Sequence, residues 1–441
     1  MALIDCRDCS ITLWQEGHAT SSPGFVLADG KQFTFGQAAL EHSRLRPRDS
    51  SSRFWWQLST QPLKPPLGAA RHSADLVHAH LQTLHRESAE PEAASMVIPE
   101  SMPTEQLSLL LGIAQACDFS VKGLVSRSAL LASLHMPEDT RDQTFVHVEA
   151  QLNQTVVSQL RSESGRVHVE KSTPLPSCGL LGIYERCISA IATAFVQQTR
   201  FDPRRSAESE QLLFNQLPQL LTQLKIDGET SVTIDSHRCR FTSATLDGVL
   251  EKLRSGIADA TEGKAVSALL DAEFSALPGI EEMFNAPRFL DAAELWTAWE
   301  RQRGEVELGD PELHLVDHLP SLGKSGNDPV GSQDGSVSSS PPDGATGLVQ
   351  VNQNAAPENG LGMTLDAATH VLIGIKAMPL RGDQINLVDD FSLRLVKNRW
   401  TLHGPDGLVN GLPSHPQQAL ELGDTLTLGT AGHGRLIQVC D

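Results

Sequence analysis

Between residues 95 and 134 the hydrophobic pattern changes period several times. "SMVIPES" (95–101) reads as a short apolar strand. "PTEQLSLLLGIAQACDF" repeats its apolar residues at helical spacing, with Thr104 as N-cap and Leu107, Leu110, Leu111, Ala114 and Cys117 on one face. "VKGLVS" (121–126) predicts a second strand and "RSALLASL" (127–134) a second helix. Past the charged turn "PEDTRD" come two β-rich runs, "QTFVHVEAQLNQTVVSQLRSES" and "GRVHVEKSTPL". A long helix follows, "LLGIYERCISAIATAFVQQT", then "SAESEQLLFNQLPQLLTQL", where Pro218 predicts an interruption. "TSVTIDSHRCRFTS" reads as a hairpin and "ATLDGVLEKLRSGIAD" as a helix. "AVSALLDAEFSALPGIEEMF" predicts a strand, a turn and a helix beginning near Pro278.

The pattern fails over "SLGKSGNDPVGSQDGSVSSSPPDGATGLVQVNQNAAPENGLG" (321–362), which lacks aromatic residues and any apolar period. Such a stretch buries too little surface to offset its chain entropy. The expected organisation is a first domain over 1–318, a flexible linker over 319–363 and a small domain over 364–441. In the last part short alternating runs, among them "THVLIGIKAMPL", "FSLRLVKNRWTLHG" and "QALELGDTLTLG", are separated by Gly, Pro, Asn and Asp, the pattern of a small β-sandwich. "HRESAEPEAAS" (85–95) is a surface loop within the first domain.

The order of elements resembles the second half of the actin and heat-shock-protein-70 type ATPases, and the local text follows it. "SMVIPESMPTEQLSLLLGIAQACDFSVKGLVSRSALLAS" is similar to that family's proline-ended strand and the helix, strand and alanine-rich helix after it. "LIDCRDCSITLW" (3–14) stands in the place of the first phosphate hairpin, with "GKQFTFGQAALEHSRLRP" after it. "VHVEAQLNQTVVSQL" stands in the place of the second. "VTIDSHRCRFTSATLDGVLEKL" resembles the hairpin and helix of the nucleotide-facing lobe, and "ALLDAEFSALPGIEEMF" stands at the adenosine loop. The resemblance covers roughly residues 1–300 and implies an α/β, two-lobed core followed by an all-β sandwich.

The loops depart from that family where its chemistry resides. Phosphate hairpins need glycine so that backbone N–H groups can approach the phosphates. Here the first loop holds Cys6, Arg7 and Asp8, the second Gln151, Leu152 and Asn153, and the adenosine loop Ala272, Glu273 and Phe274. A carboxylate beside a triphosphate costs on the order of 1 kcal/mol even when screened. Ordinary ATP binding is therefore expected to be lost, leaving no cofactor and no catalytic residue. Two acids stand where the resemblance implies contacts to Mg²⁺ and its water: Asp5, ending the first strand, and Glu149, before the second hairpin. They are cofactor-binding candidates only if ATP and Mg²⁺ bind at all. Strand-end acids also simply begin turns.

Other constellations are weaker. Cys6 and Cys9 have redox or zinc spacing, but "SITLW" continues as strand where a thiol site needs a helix N-terminus. No matching second pair exists for zinc, so no metal site is expected and replacing both thiols by serine should be nearly neutral. "TRFDPRRSAESEQ" reads as a charged helix start with Pro203 and Ser206 as entry signals, or as a small anion site on Arg200, Arg204 and Arg205. "RFWWQLS" gathers three aromatics in a chain only 5 % aromatic, and Trp55 and Trp56 mark either a partner surface or a corner of the core. His78, His80 and His85 span opposite helix faces, which predicts a solvated helix. No Ser-His-Asp order or GxSxG elbow supports hydrolase chemistry.

Bulk properties narrow the class further. With 441 residues, 40 % of them hydrophobic, the chain can build a substantial core. A net charge of −19 argues against nucleic acid as a partner. No run of about 18 apolar residues spans a membrane, and Asp5, Arg7 and Asp8 interrupt the early apolar stretch that a secretory leader would need. Seven scattered cysteines imply a reduced, cytoplasmic protein. The tail "NRWTLHGPDGLVNGLPSHPQQALELGDTLTLGTAGHGRLIQV" resembles a forkhead-associated domain. That family's phosphothreonine-reading arginine after glycine is replaced by Ile375 after Gly374, while Ser392 and Asn410-Gly411 match roughly. The sequence points to a non-catalytic protein-interaction or scaffold protein, chaperone-like in its core, whose partner is another protein. The alternative is a nucleotide-dependent chaperone or assembly ATPase with atypical loops.

Overall fold

The computed structural model describes residues 1–137, 145–264, 266–307 and 313–322, and within 370–437 the strands with a few residues between them. It is a mixed α/β structure with several sheets. Among the described residues no helix is long and apolar enough to cross a membrane.

The first sheet starts with a meander of β1 (Ala2–Asp5), β2 (Ile11–Gln15) and β3 (His18–Ser22). Beside β1, and parallel to it, lie β4 (Ala93–Ile98) and then β5 (Ser120–Ser126). The second sheet repeats this wiring: β6 (Phe145–Ala150), β7 (Gln154–Glu163) and β8 (Arg166–Pro176) form the meander, and β9 (Ser267–Leu270) and β10 (Ala286–Phe289) run parallel beside β6. Then β11 (Leu315–Val316) joins the first sheet alongside β5, and β12 (His318–Pro320) joins the second alongside β8. One short segment therefore fastens both sheets.

Strands β1, β4 and β6 are buried on both faces, because helices cover each side. On the outer face of the first sheet, Ile4, Leu13 and Met96 pack with α1 (Ser73–Glu87) and α2 (Thr104–Gln115). On the outer face of the second, Val146, Val148 and Leu270 pack with α4 (Leu180–Thr199), α5 (Ala207–Asp227) and α6 (Glu251–Ala260). Between the sheets run α3 (Arg127–His135) and α7 (Ala292–Val306), whose Leu131 and Trp299 meet Leu3 and Val125 of one sheet and Leu160 and Leu269 of the other.

Several expectations need correction. Thr104 is the first helical residue and Pro103 the N-cap, since its fixed φ suits the entry and it has no N–H to orphan. Pro218 leaves α5 continuous because it sits on the exposed face while Leu213, Leu217, Leu220 and Leu224 anchor both halves. No α-helix begins at Pro278. Gly279 takes φ +79° immediately after it, leaving only short 3-10 turns at Ala272–Phe274 and Glu281–Met283. Gly248, at φ +80°, likewise divides "ATLDGVLEKL" into a 3-10 turn and α6. The packed part also runs beyond residue 318: Leu319 is fully buried and Leu322 N–H donates to Ser133 O at 2.7 Å.

The helix carrying His78, His80 and His85 is not solvated on all sides. His80 and His85 are buried. Trp55 Nε1 donates to His80 Nδ1 at 3.0 Å, so Nε2 carries the ring proton toward Ser22 Oγ at 2.7 Å. Phe35 stacks on the ring at 4.8 Å. Phe54 and Trp55 are thus a corner of the core, while Trp56 is half-buried. The charged stretch at 199–211 is a helix start, with Ser206 Oγ accepting from Ser209 N–H and Asp202 pairing with Arg204.

In the C-terminal segment the described strands form two antiparallel sheets. One runs in the order 376–379, 370–373, 433–437, 425–428, 407–409, 412–413, and the other pairs 384–386, 392–396 and 399–403. Leu393 and Leu402 of one share an apolar cluster with Val409 and Leu426 of the other. Ser392 is buried on its strand. Gly374, Ile375, Asn410 and Gly411 lie outside the described residues, as do most of the turn after Pro137 and of the linker.

Burial holds the His80 ring neutral, lowering its pKa from 6.5 to about 3. The unfolded chain binds that proton more readily, so the contribution is complete above pH 6.5 and is lost as pH falls. Wild-type protein should lose roughly 2–3 kcal/mol from this group between pH 6.5 and 4.5. His80→Gln, compared by urea unfolding at both pH values, should remove that part of the slope. An unchanged slope would refute the assignment.

Candidate functional site

In open α/β sheets, ligands bind in crevices beyond the carboxyl ends of the parallel strands. Here the carboxyl ends of both sheets meet. β1 ends at Asp5, followed by the turn 6–10, and β6 ends at Ala150, followed by the turn 151–153. Asp8 Oδ1 accepts the Leu152 N–H at 2.8 Å, and Cys9 Sγ donates to Ala150 O at 3.0 Å. The second turn is also closed from behind. Leu180 and Leu181 N–H, at the start of α4, donate to Gln151 O and Leu152 O. A Cβ on Gly179 would lie 2.3 Å from Gln154 N, so only glycine fits there.

The space between the turns is filled by two arginines. Arg7 Nη1 reaches Asp271 at 2.9 Å and Glu273 at 2.7 Å, and its own N–H donates to Asp5 Oδ1. Arg127, first residue of α3, places Nε 3.3 Å from Asp5, Nη2 2.9 Å from Asp271 and Nη1 3.5 Å from Glu149. Asp271 further accepts the Ala150 N–H at 2.9 Å and faces His147 Nε2 at 3.3 Å, while Ser128 holds the other ring nitrogen. Gln151 Nε2 donates to Glu149 Oε1 at 2.6 Å.

Electrostatics follow from this geometry. Burial alone would raise the Asp271 pKa, but Arg127, Arg7 and His147 hold it well below the usual carboxylate range. Burial would lower that of Arg7, yet the carboxylates of Asp271, Glu273 and Asp5 keep it well above its ordinary value. Glu149 is pushed up to about 7 by burial, which Arg127 only partly offsets, and its Oε2 has no hydrogen bond. Asp8 is raised to about 6 by burial against the Leu152 N–H, Arg7, Asn153 and the Cys9 N–H. Burial also lifts both turn thiols well above the ordinary range, so neither is a reactive thiolate. Cys6 is part of the core, however, and replacing it by serine would bury a hydroxyl, so a neutral double substitution is no longer expected.

Beside the ion cluster lies a cavity of about 190 Å³, walled by Trp55, Trp56, Pro99, Met102 and Pro103 and edged by Asp8 and several amide side chains. Among the described residues no group of three or more His, Cys, Asp and Glu side chains is arranged to hold a metal ion.

Asp5 and Glu149, separated by most of the first sheet in sequence, are brought to the same guanidinium. Sequence reasoning counted Arg7 only as a replaced glycine and passed over Arg127 and Asp271. Arg127 did carry a signal: a cation in the first turn of a helix opposes the helix dipole and calls for buried carboxylates nearby. No protein-family model matches this chain, and no curated protein matches it in sequence.

The raised Glu149 pKa fixes a testable sign. Its contribution is fully present below the ordinary value of 4.5 and is lost as pH rises through about 7. Glu149→Gln keeps the acceptor for Gln151 and should match wild type near pH 4.5 yet exceed its stability at pH 8 by about 1–3 kcal/mol. Unfolding measured at both pH values checks this. A variant weaker than wild type at pH 8 would show that the Arg127 pairing outweighs burial.

Proposed function

We propose that the chain is a non-catalytic interaction protein, a chaperone-like scaffold built on an actin or heat-shock-protein-70 type core that no longer binds ATP. The duplicated sheet wiring supports that likeness, since each sheet has a three-strand meander with two successive parallel strands added on the free side of its first strand. The observation that carries the loss of ATP binding is the Arg7–Arg127 cluster. Both guanidiniums are already neutralised by Asp5, Asp271, Glu273 and Glu149, and the Leu152 amide is taken by Asp8. A triphosphate would meet an excess of carboxylates and few free donors.

The second reading, an ATPase with atypical loops, draws on one observation: Asp5 and Glu149 flank a common point, as paired Mg²⁺-side acids would. Calorimetric titration with ATP and Mg²⁺ separates the two. We expect no binding at micromolar nucleotide and no hydrolysis. Micromolar affinity with turnover abolished in Asp5→Ala would establish the second reading and overturn the first.

In the same reading residues 364–441 form a forkhead-associated-like β-sandwich, tethered by the linker 319–363 and docking a protein partner in the reducing cytoplasm. Recognition of phosphate relies on charge-assisted contacts that Ile375 cannot make. Full-length protein should therefore bind phosphothreonine peptides no better than their unphosphorylated counterparts. A marked preference for the phosphorylated set, lost in Asn410→Ala, would show a working phosphate site.

A further inference from the structure

The outer face of α5 differs from that of the other surface helices. Its inner face is spent on the core, where Leu213, Leu217, Leu220 and Leu224 are buried. On the opposite side Leu212, Asn215, Gln219, Thr222 and Ile226 follow one another at spacings of three and four, and all five are exposed. Leu212 is 42 % exposed and Ile226 76 %, the highest value for a large apolar side chain among the described residues. Residues 211–224 hold no Asp, Glu, Lys or Arg. By contrast, α6 turns Glu251, Lys252 and Asp259 outward, and α7 turns Glu300, Arg301 and Arg303 outward. Charge is normal on the solvent face of a surface helix, and its depletion marks the centre of an interface. The flanks of the stripe are occupied within the chain: Gln223 accepts from Thr230 Oγ1 on one side, and Lys225 reaches Ser275 O and Glu281 on the other. Gln219 between them makes no side-chain bond.

We infer that this stripe is a contact between two copies of the chain, α5 of one packing antiparallel against α5 of the other about a two-fold axis at Gln219. The symmetry of the stripe selects a second copy as its occupant. Leu212 and Ile226 lie about two turns before and after Gln219, so an axis there sets Leu212 of each copy on Ile226 of the other. Asn215 and Thr222, each about one turn from the centre, meet in the same way. Asn215 Oδ1 already accepts from Gln211 and Thr222 Oγ1 already donates to Pro218 O, which leaves the Asn215 N–H groups to donate and the Thr222 oxygen to accept. The two Gln219 amides face each other on the axis, where each can donate and accept. A parallel pairing would bring Glu208 against Glu208 and align the helix dipoles, whereas the antiparallel one opposes the dipoles and separates those carboxylates. Net charge agrees, since copies carrying −19 repel each other and meet at least cost where neither brings a charged side chain. A seam about 20 Å long buries less than the roughly 1,600 Å² of a standard interface, so the dimer is reversible and concentration-dependent. The inference goes beyond the proposed function and does not depend on whether nucleotide binds.

The test uses full-length protein. Sedimentation equilibrium from about 1 µM to about 200 µM should show the mean mass rising toward that of two chains. Ile226→Glu sets a carboxylate against Leu212 of the other copy and should weaken association by about tenfold or more. Leu45→Glu, at an exposed leucine outside the stripe, should leave association unchanged. Both positions are exposed, so thermal unfolding of either variant should stay close to wild type. Disulfide trapping in a Cys440→Ser background reads the orientation. A mixture of Leu212→Cys and Ile226→Cys protein should cross-link on mild oxidation. Neither variant alone should do so, because equivalent residues of an antiparallel pair lie about 20 Å apart at these positions. Cross-linking within either variant alone, a mixture no more reactive than its parts, or association untouched by Ile226→Glu overturns the proposal. A monomer over the whole concentration range overturns it too, and is the result expected if the stripe serves a helix of a different protein.

Discussion

Two buried guanidiniums hold one sheet to the other, and the arrangement of the whole core depends on them. Arg7 extends from the first turn of the first sheet to Asp271 and Glu273, which follow a strand of the second. Arg127 joins Asp5 of one sheet to Asp271 and Glu149 of the other. Desolvating so many charges is expensive, and well-packed apolar residues of like volume would often be as stable or more so. The cluster is better understood as a device that fixes geometry, since any displacement leaves a buried charge unpaired. Asp271 illustrates the point by accepting from both arginines and from the Ala150 N–H at once.

A second set of contacts closes the same cleft from the other side. Arg44 pairs with Glu185 on α4 and Glu210 on α5, and its guanidinium lies 4.7 Å from the Phe214 ring centre. Phe25 and Leu27 share an apolar cluster with Leu152 of the second turn. Behind the cleft, α3 and α7 are packed against both sheets, and the short segment 315–320 adds one strand to each. Relative motion of the sheets would have to disrupt ion pairs, a shared apolar layer and two strand pairings together. Interfaces packed this way are bistable at best and do not deform gradually.

Much of this was legible in sequence wherever a single local rule decided the outcome. The run from 180 to 199 keeps one helical period past its single glycine, Gly182, and it is one helix over those residues. The runs at 145–176 are three strands, divided at the turns 151–153 and 164–165. Reading failed where a backbone angle or a distant contact decided instead. Asp-Gly in "DGVL" and Pro-Gly in "LPGI" are turn dipeptides that the helical period masked, and the positive φ of both glycines broke the two expected helices. Pro218 was overridden by tertiary packing of the leucines around it. His80 owes its burial to Trp55 and Ser22, which are remote in sequence. Helix α7 was missed although Asp291 and Glu294 announce it as a reciprocal cap.

The site shows the same division. That Asp5 and Glu149 matter could be read from strand ends, but what they face could not, because Arg127 comes from a third element and Asp271 from a fourth. The absent glycines were visible, and their structural meaning was not. A glycine-rich turn leaves amides open to an incoming anion, whereas here side chains consume the amides: Asp8 takes Leu152 N–H and Asp5 takes Arg7 N–H. Glycines nearby bring backbone against the turns: Gly179 seats the start of α4 on the second turn, and Gly24 N–H donates to Asp8 O of the first at 2.8 Å. Internal carboxylate–guanidinium pairs balance the charges where the two sheets meet, so that contact is made within the chain itself. Asp8 is held in the same way, its burial opposed by the Leu152 N–H, Arg7, Asn153 and the Cys9 N–H.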